Sequence, residues 1–174
     1  MNKKIYDSKV LQLFFDDPEG VYHIREISRQ IKLHPNTVLR DVNLLEKEGL
    51  LIKHATRAVV EVRVNREKST FITLKRLNNL RSLYLSGLVE HLNKEYVAPD
   101  AIILFGSYSR GEDTRTSDID IAIITKRKMS LELSKYVALL KREIQILDTD
   151  LQRSNKNFRT TLANGIILKG YLNI

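Results

Sequence analysis

Residues 104–124, LFGSYSRGEDTRTSDIDIAII, decide how the second half of this 174-residue chain is interpreted. An apolar run ends at Gly106 and Ser107, a charged segment follows, and a second apolar run begins with Asp118 and Asp120. Positions two apart in a strand face the same side, so the pattern predicts two neighbouring carboxylates. Burying a carboxylate is costly unless it is paired or bound to a metal, and the stretch therefore suggests a functional site.

Each half of the stretch has a chemistry of its own. Gly106 allows the backbone to approach a ligand closely, and Ser107 at the start of a predicted helical turn exposes its hydroxyl and nearby N–H groups to a phosphate. Asp118 and Asp120 offer the oxygen ligands that Mg²⁺ prefers and shares with substrate phosphates. Either half alone is weak evidence, because Gly-Ser is a common helix cap and two acids at the start of a strand can simply be hydrated.

Together the two halves resemble the nucleotidyltransferase superfamily that includes DNA polymerase beta: Gly-Ser, ten intervening residues, then Asp-x-Asp. The finer form, GSYSRGEDTRTSDIDI, is similar to the minimal nucleotidyltransferase family, whose pattern is Gly-Ser-x-Ala-Arg-Gly followed by Ser-Asp-[Ile/Leu]-Asp. The matching positions are Gly106, Ser107, Arg110, Gly111, Ser117, Asp118 and Asp120. Ser109 and Asp113 stand where alanine is frequent, and the resemblance covers roughly residues 100–171.

The resemblance implies a role for each main position. Ser107 and the Gly106 backbone would bind the outer phosphates of a nucleoside triphosphate, and Arg110 would fix the loop or contact phosphate. Asp118 and Asp120 would be the catalytic carboxylates and the ligands of the Mg²⁺ cofactor. The domain would then transfer a nucleoside monophosphate to an acceptor.

One departure from the family pattern concerns a third carboxylate. Active members carry it on a following strand, in a phrase like Val-Asp-Leu-Val, whereas residues 143–147 read EIQIL and place Gln145 there. An amide offers a neutral oxygen but cannot act as a general base. Glu143, on the same predicted strand face, could substitute, and Asp148 or Asp150 could do so only if a loop returned them. Otherwise the third position is lost.

The first half of the chain carries a different pattern, in which short helices precede two strands. Helices are predicted within residues 3–17, 25–33 and 34–51, and the strands within residues 51–65. Val38, Val42 and Leu45 share one side of the third helix and are expected to face a core. The opposite, exposed side is expected to carry Asn36, Thr37, Arg40 and Asn43.

Residues 8–65 resemble the winged helix-turn-helix family of DNA-binding regulators, mainly through NTVLRDVNLLEKEGLLIK at 36–53. The exposed side chains of the third helix are of types that pair with base edges and phosphates in a major groove. They are therefore the predicted DNA-binding residues, and Arg57 on the wing is expected to contact phosphate. Winged helices also serve as protein-contact modules, and that alternative stays open.

Residues 66–96 read as one long helix with more apolar surface than a single stripe. The stripe contains Leu77, Leu80, Tyr84, Leu88 and Leu92, and the surplus consists of Ile72, Leu83, Leu85 and Val89. The surplus favours a homodimer formed through this helix. The alternative is that two domains of one chain cover both sides.

The fold class expected from these patterns is α+β. An N-terminal winged helix at residues 1–66 and a linking, dimerising helix at 67–97 precede a minimal nucleotidyltransferase domain at 98–174. That last domain is predicted to be a small mixed sheet with flanking helices.

Composition narrows the function classes. The chain has no cysteine and four scattered histidines, which argues against disulfides and thiolate metal sites. No apolar run approaches a membrane span or a signal peptide, so a cytoplasmic location and no membrane partner are expected. The net charge of +8 suits nucleic acid or nucleotides. Three functions remain open: a nucleotidyl-transferring enzyme, a DNA-binding regulator that senses a nucleotide without turnover, and an antitoxin-like protein acting on a small helical partner.

Overall fold

The computed structural model describes residues 7–55, 59–66 and 68–173. The chain divides into two units, residues 1–75 and 76–174, and each has its own apolar core. The boundary falls inside the helix that the sequence suggested as a separate linking element.

The N-terminal unit alternates short helices with short strands. Its elements are α1 (Lys9–Asp16), β1 (Tyr22–His23), α2 (Ile24–Ile31), α3 (Pro35–Lys47), β2 (Leu51–Ala55) and β3 (Val60–Val64). The strands form an antiparallel sheet in the order β1-β3-β2. This order of three helices followed by a two-stranded hairpin matches the elements predicted from the sequence.

Local signals explain where α3 begins and ends. Pro35 occupies its first turn, where a missing N–H costs nothing, and the backbone N–H of Asn36 donates to His34 Nδ1 at 3.3 Å. Gly49 follows the helix with φ of +73°, a conformation that favours glycine. Val38, Val42 and Leu45 are buried, as their spacing predicted, so the opposite side of α3 faces solvent.

The C-terminal unit is built on one mixed sheet with flanking helices, as predicted. Its elements are α4 (Ser69–Ser86, which begins in the first unit), α5 (Leu88–Glu95), β4 (Ala101–Phe105), α6 (Gly106–Arg110), β5 (Ile119–Ile124), α7 (Ser134–Leu140), β6 (Ile144–Thr149), α8 (Lys156–Ala163) and β7 (Ile166–Gly170). The strand order is β6-β5-β4-β7. Strands β5 and β6 are parallel, and the other neighbours are antiparallel.

Both faces of this sheet are covered. One face packs Ile102, Leu104, Ile119, Ile121 and Ile123 against Leu88, Val89, Leu92 and Tyr136. The other packs Ala101, Ile103, Ala122 and Ile124 against Leu162 of α8. The two faces alternate along β5, so the side that carries Asp120 is also the side that α8 covers.

The single long helix expected at 66–96 is in fact two helices, α4 and α5. Gly87 separates them with φ of +77°, and the Leu88 N–H donates to Ser86 Oγ at 3.2 Å. Apolar residues continue at helical spacing on both sides of Gly87, so periodicity alone did not reveal the break. Leu83 and Val89 from the predicted surplus are buried in the C-terminal core, whereas Leu77 and Leu85 stay exposed.

Strand β7 was not predicted from the sequence. It is an edge strand in which only Leu168 is buried, so its apolar alternation is weak. Across the three described ranges, no helix combines the length and the apolar character that a membrane crossing requires.

Candidate active site

A tight turn between β4 and α6 forms one wall of the candidate site. Gly106 adopts φ of +71°, and its carbonyl accepts from Ser109 Oγ at 2.8 Å and from Arg110 Nη1 at 3.0 Å. Arg110 Nε also bonds Glu112 Oε2 at 2.7 Å. Arg110 therefore braces the turn, which is one of the two roles that the resemblance implied for it, and the serine at 109 adds a second brace.

Strand pairing brings the second wall against this turn. Asp120 pairs with Phe105 across β4 and with Gln145 across β6. A Cβ added to Gly106 would lie 2.1 Å from Asp120 Oδ2. Two features therefore require glycine at position 106. One is the left-handed backbone conformation, and the other is the Asp120 carboxylate that lies against it.

Gln145 lies at the position where the resemblance expects a third acid. Its Nε2 donates to Asp118 Oδ2 at 2.8 Å, and its side chain is exposed. The two aspartates and Gln145 thus form one cluster along the ends of β5 and β6. The cluster carries two carboxylates and one amide.

The charges in this cluster repel one another. Partial burial, and secondarily the charge of Asp118, raises the pKa of the Asp120 carboxyl above its usual range. No group of three or more His, Cys, Asp or Glu side chains suited to a metal occurs in the described part of the chain. Two close carboxylates still fit one Mg²⁺ that takes its remaining ligands from water and substrate phosphates.

Asp148, one of the other candidates for the third acid, lies away from the site. Asp148 lies on the opposite face of the sheet from Gln145, where Tyr96 Oη and the Met129 N–H donate to it at 2.5 and 2.8 Å. Burial, together with the bond to Asp148, raises the pKa of the Tyr96 hydroxyl. These contacts exclude Asp148 from the site in this conformation.

Of the two remaining candidates, Asp150 lies far from the cluster of Asp118, Asp120 and Gln145, whereas Glu143 lies beside it. Asp150 follows the far end of β6, roughly 16 Å along the strand from Gln145 at ~3.3 Å per residue, and accepts from the Gln152 N–H at 3.0 Å. The Glu143 carbonyl instead accepts from the Ile119 N–H at 2.8 Å. Glu143 is exposed and adjoins the cluster.

The loop between α6 and β5 is held by its own polar groups. The Ser107 carbonyl accepts from the Glu112 N–H at 3.0 Å, and Ser117 Oγ accepts from the Thr114 N–H at 2.9 Å. Ser107 itself is half-buried.

Asp113, which stands where alanine is frequent in the family pattern, is buried at 1% exposure. It accepts from Asn79 Nδ2 at 2.7 Å and lies 3.9 Å from Arg142 Nη2. Asn79 Nδ2 also donates to the Tyr108 carbonyl at 3.0 Å. The cluster ties the loop to α4 and to the residues just before β6. Nothing in the spacing of Asn79 or Arg142 signalled this role.

The predicted DNA-binding residues lie on the solvent side of α3. Asn36, Arg40 and Asn43 are exposed and Thr37 is half-buried, while Arg57 lies outside the described residues. Arg40 pairs with Asp41 at 3.6 Å.

Lys53 of β2 was missed from the sequence, because lysines on a strand are common. Its Nζ donates to Asn43 Oδ1 at 2.6 Å and contacts Glu46 Oε2 at 2.9 Å. The side chain of Asn43 is therefore held by a lysine of β2.

A match to a known protein family covers the part of the chain that carries this site. Residues 88–172 match the family described as Polymerase beta, Nucleotidyltransferase, a range that contains the turn, both aspartates and Gln145. No curated protein matches the chain.

Two solved structures are similar at 17% identity. One is a "possible transcriptional regulator" from Methanosarcina mazei Go1, with 55% of this chain and 76% of that one covered and a TM-score of 0.34. The other is a "putative nucleotidyltransferase" from Sulfolobus solfataricus, with coverage of 57% and 90% and a TM-score of 0.31. On the family match, residues 88–172 of this chain are similar to polymerase beta-like nucleotidyltransferases.

Proposed function

We propose that this protein is a DNA-binding regulator whose nucleotidyltransferase domain binds a nucleoside triphosphate with Mg²⁺ but transfers the nucleotide slowly or not at all. The observation that carries the proposal is the hydrogen bond from Gln145 to Asp118. An amide occupies the place of the acid, and it is already engaged with a neighbouring carboxylate.

The residues of the site divide the work of binding. Asp118 and Asp120 would hold Mg²⁺, which neutralises their charge and that of the phosphates. The Gly106 turn allows the triphosphate to approach the backbone closely, and Ser107 supplies a hydroxyl donor. Arg110 keeps the turn in shape through the Gly106 carbonyl.

Catalysis would lack one component. Gln145 cannot accept the proton of an acceptor hydroxyl, and losing a general base typically costs about 10²–10⁴-fold in rate. The proposed binding of the triphosphate depends on Ser107, Asp118 and Asp120 and on the Gly106 turn, not on an acid at position 145. We therefore expect binding to survive without turnover.

The test is incubation with labelled nucleoside triphosphates and Mg²⁺, with and without a small helical partner protein as acceptor. Wild type should retain the nucleotide with little label transferred, and Asp120→Asn should weaken retention. Gln145→Asp should raise transfer, because it restores a carboxylate beside Asp118. Absence of nucleotide binding by the wild type would contradict the proposal.

A specific observation keeps a second function in view, which is full transferase activity with Glu143 as the third acid. Its backbone bonds Ile119 at the start of β5, next to the two aspartates. Robust label transfer by the wild type that Glu143→Gln abolishes would support this second function. It would also overturn the view that the site is degenerate.

The proposed regulator role rests on the N-terminal unit. Three helices, a two-stranded hairpin and an exposed polar face on α3 support a winged helix-turn-helix. The proposed partners are DNA through Asn36, Thr37, Arg40 and Asn43, with Arg57 contributing a phosphate contact, and a second copy of the chain.

A selection from genomic fragments at physiological salt tests DNA binding. An enriched sequence is expected, and Arg40→Ala should weaken its binding by about 1–3 kcal/mol if Arg40 contacts a base. Arg57→Ala should weaken all sequences alike and lower the salt dependence. Failure to enrich any sequence would remove the regulator role without affecting the nucleotide site.

A further inference from the structure

Two exposed leucines on α3 are not explained by hydrogen bonding to DNA. Leu39 and Leu44 are 38% and 44% exposed. They flank a polar stripe, and the shallow groove on this side of the helix is lined by Asn36, Leu39, Arg40, Asn43, Leu44 and Lys47. A leucine cannot hydrogen-bond, so a base-edge donor or acceptor buried against it would stay unpaired, at a cost.

The major groove offers one apolar group on its base edges, the 5-methyl group of thymine. Leu39 lies in the N-terminal half of α3, one turn after Asn36 and directly before Arg40. In helix-turn-helix proteins it is the N-terminal part of the recognition helix that contacts base edges. Leu44 lies more than a turn further along, in the C-terminal half of α3.

Building on the proposed DNA-binding function, we infer that Leu39 contacts a thymine methyl group and so specifies an A·T pair at one position of each half-site. Arg40 and Asn36 beside it would supply the hydrogen bonds to neighbouring groups. Hydrogen-bonding side chains read the donors and acceptors of the base edges, and Leu39 would add a contact with the methyl group that thymine alone carries.

The packing of α3 supports a defined contact at Leu39. Val38 and Val42 beside it are fully buried, which fixes the rotation of the helix. Side chains on a helix also have restricted rotamers. Fewer accessible rotamers mean a smaller entropy loss on binding.

The experiment uses the full chain and the duplex enriched by selection. Each thymine is replaced in turn by deoxyuridine, which removes only the methyl group, and the dissociation constant is measured at fixed salt. For the wild type, replacement of one particular thymine in each half-site should lower the affinity about fourfold, because burial of one methylene-sized group contributes about that factor. In Leu39→Ala that sensitivity should disappear.

Leu44→Ala is the matched control, because it removes a leucine of similar exposure from the same helix. It should keep the uracil sensitivity of the wild type. Three results would overturn the inference while leaving DNA binding intact. The first is a wild-type affinity that no thymine replacement lowers, and the second is a selected site that contains no thymine. The third is a Leu39→Ala variant whose affinity falls on thymine replacement as much as that of the wild type. A selection that enriches nothing would overturn the DNA-binding function and this inference with it.

Discussion

At Asp120 the folded protein carries a negative charge under two unfavourable conditions, partial burial and a nearby carboxylate. Both raise the pKa of its carboxyl above the value of 3.8 that applies in an unfolded chain. A raised pKa means that the folded state prefers the protonated form. Above pH 3.8, ionised Asp120 therefore lowers the free energy of unfolding. Groups with such shifted pKa values cluster at functional sites, which makes Asp120 a candidate for ligand binding.

Asp120→Asn should accordingly stabilise the protein and impair its ligand binding together. In metal-free buffer at neutral pH we expect the free energy of unfolding to rise by less than about 1 kcal/mol, because solvent screens the charge of a partly exposed group. The gain should vanish below pH 3.8, where aspartate is protonated in both states. Urea denaturation across pH measures it.

Asp100→Asn provides the control for this prediction, since Asp100 is an exposed carboxylate before β4. It should change neither stability nor Mg²⁺-nucleotide binding. If Asp120→Asn is less stable than the wild type at neutral pH, the Asp120 carboxylate stabilises the fold. The prediction that it is an unfavourable charge kept for binding Mg²⁺ would then be wrong.

Gly106 allows the turn and the carboxylate to lie together. Gly106→Ala must place a Cβ against Asp120 Oδ2 in addition to adopting φ of +71°. The left-handed conformation alone costs about 1–2 kcal/mol, and displacement of Asp120 should reduce Mg²⁺-nucleotide binding at least tenfold. Thermal unfolding and nucleotide titration measure the two effects.

Gly87→Ala separates the two contributions. Gly87 has a similar φ of +77°, and nothing lies within 4 Å of an added Cβ. It should show the backbone cost of about 1–2 kcal/mol and unchanged nucleotide binding. Equal loss of binding in both variants would show that the effect is a general loss of stability.

At the scale of elements, the loop after α6 depends on the buried cluster around Asp113. Asp113→Ala would take from Asn79 Nδ2 one of its two acceptors and from Arg142 the carboxylate that lies 3.9 Å away. We expect the free energy of unfolding to fall by about 2 kcal/mol. Glu112→Ala removes the neighbouring acid, which forms only an exposed pair with Arg110, and should cost within about 0.5 kcal/mol. Urea denaturation compares them, and equal losses would contradict a structural role for Asp113.

The sequence predicted the elements that carry strong periodicity. The alternating strand at Val60–Val64, the apolar strand at Ala101–Phe105 and the buried side of α3 were confirmed. The break at Gly87 and the edge strand β7 were not predicted, because one glycine does not interrupt an apolar stripe and β7 buries little.

The candidate site was predictable only in part. Gly106, Asp118 and Asp120 occur in one short segment, and their spacing predicted that they belong to the same site. Asp113 and Asp148 lie away from the site because they accept hydrogen bonds from Asn79 and Tyr96. These partners come from distant segments of the chain, and local sequence patterns do not encode such contacts. The Gln145 contact with Asp118 requires the parallel register of β5 and β6, which no single segment specifies.

At the scale of the whole molecule, charge does not reveal which unit binds an anion. The net charge of +8 is shared equally, +4 for residues 1–75 and +4 for residues 76–174. Net charge therefore does not distinguish the two units. Assignment to a particular ligand rests on the site geometry alone.

A homodimer would let two α3 helices bind a palindromic site, and α4 offers the surface for it. Leu77 and Leu85, two turns apart on α4, are 56% and 75% exposed. Replacing both with glutamate should shift a dimer to monomer, because a charge cannot be buried in an apolar contact without a large cost. Sedimentation at tens of micromolar, a rough range for weak interfaces, measures the shift.

Leu139→Glu on α7 is the control, since Leu139 is similarly exposed at 57% but lies on another helix. It should leave sedimentation unchanged. The double variant should also lose preference for a two-half-site duplex over a single half-site, because each monomer then binds independently. A wild-type protein that sediments as a monomer in this range would contradict the dimer and require the leucines of α4 to serve another contact.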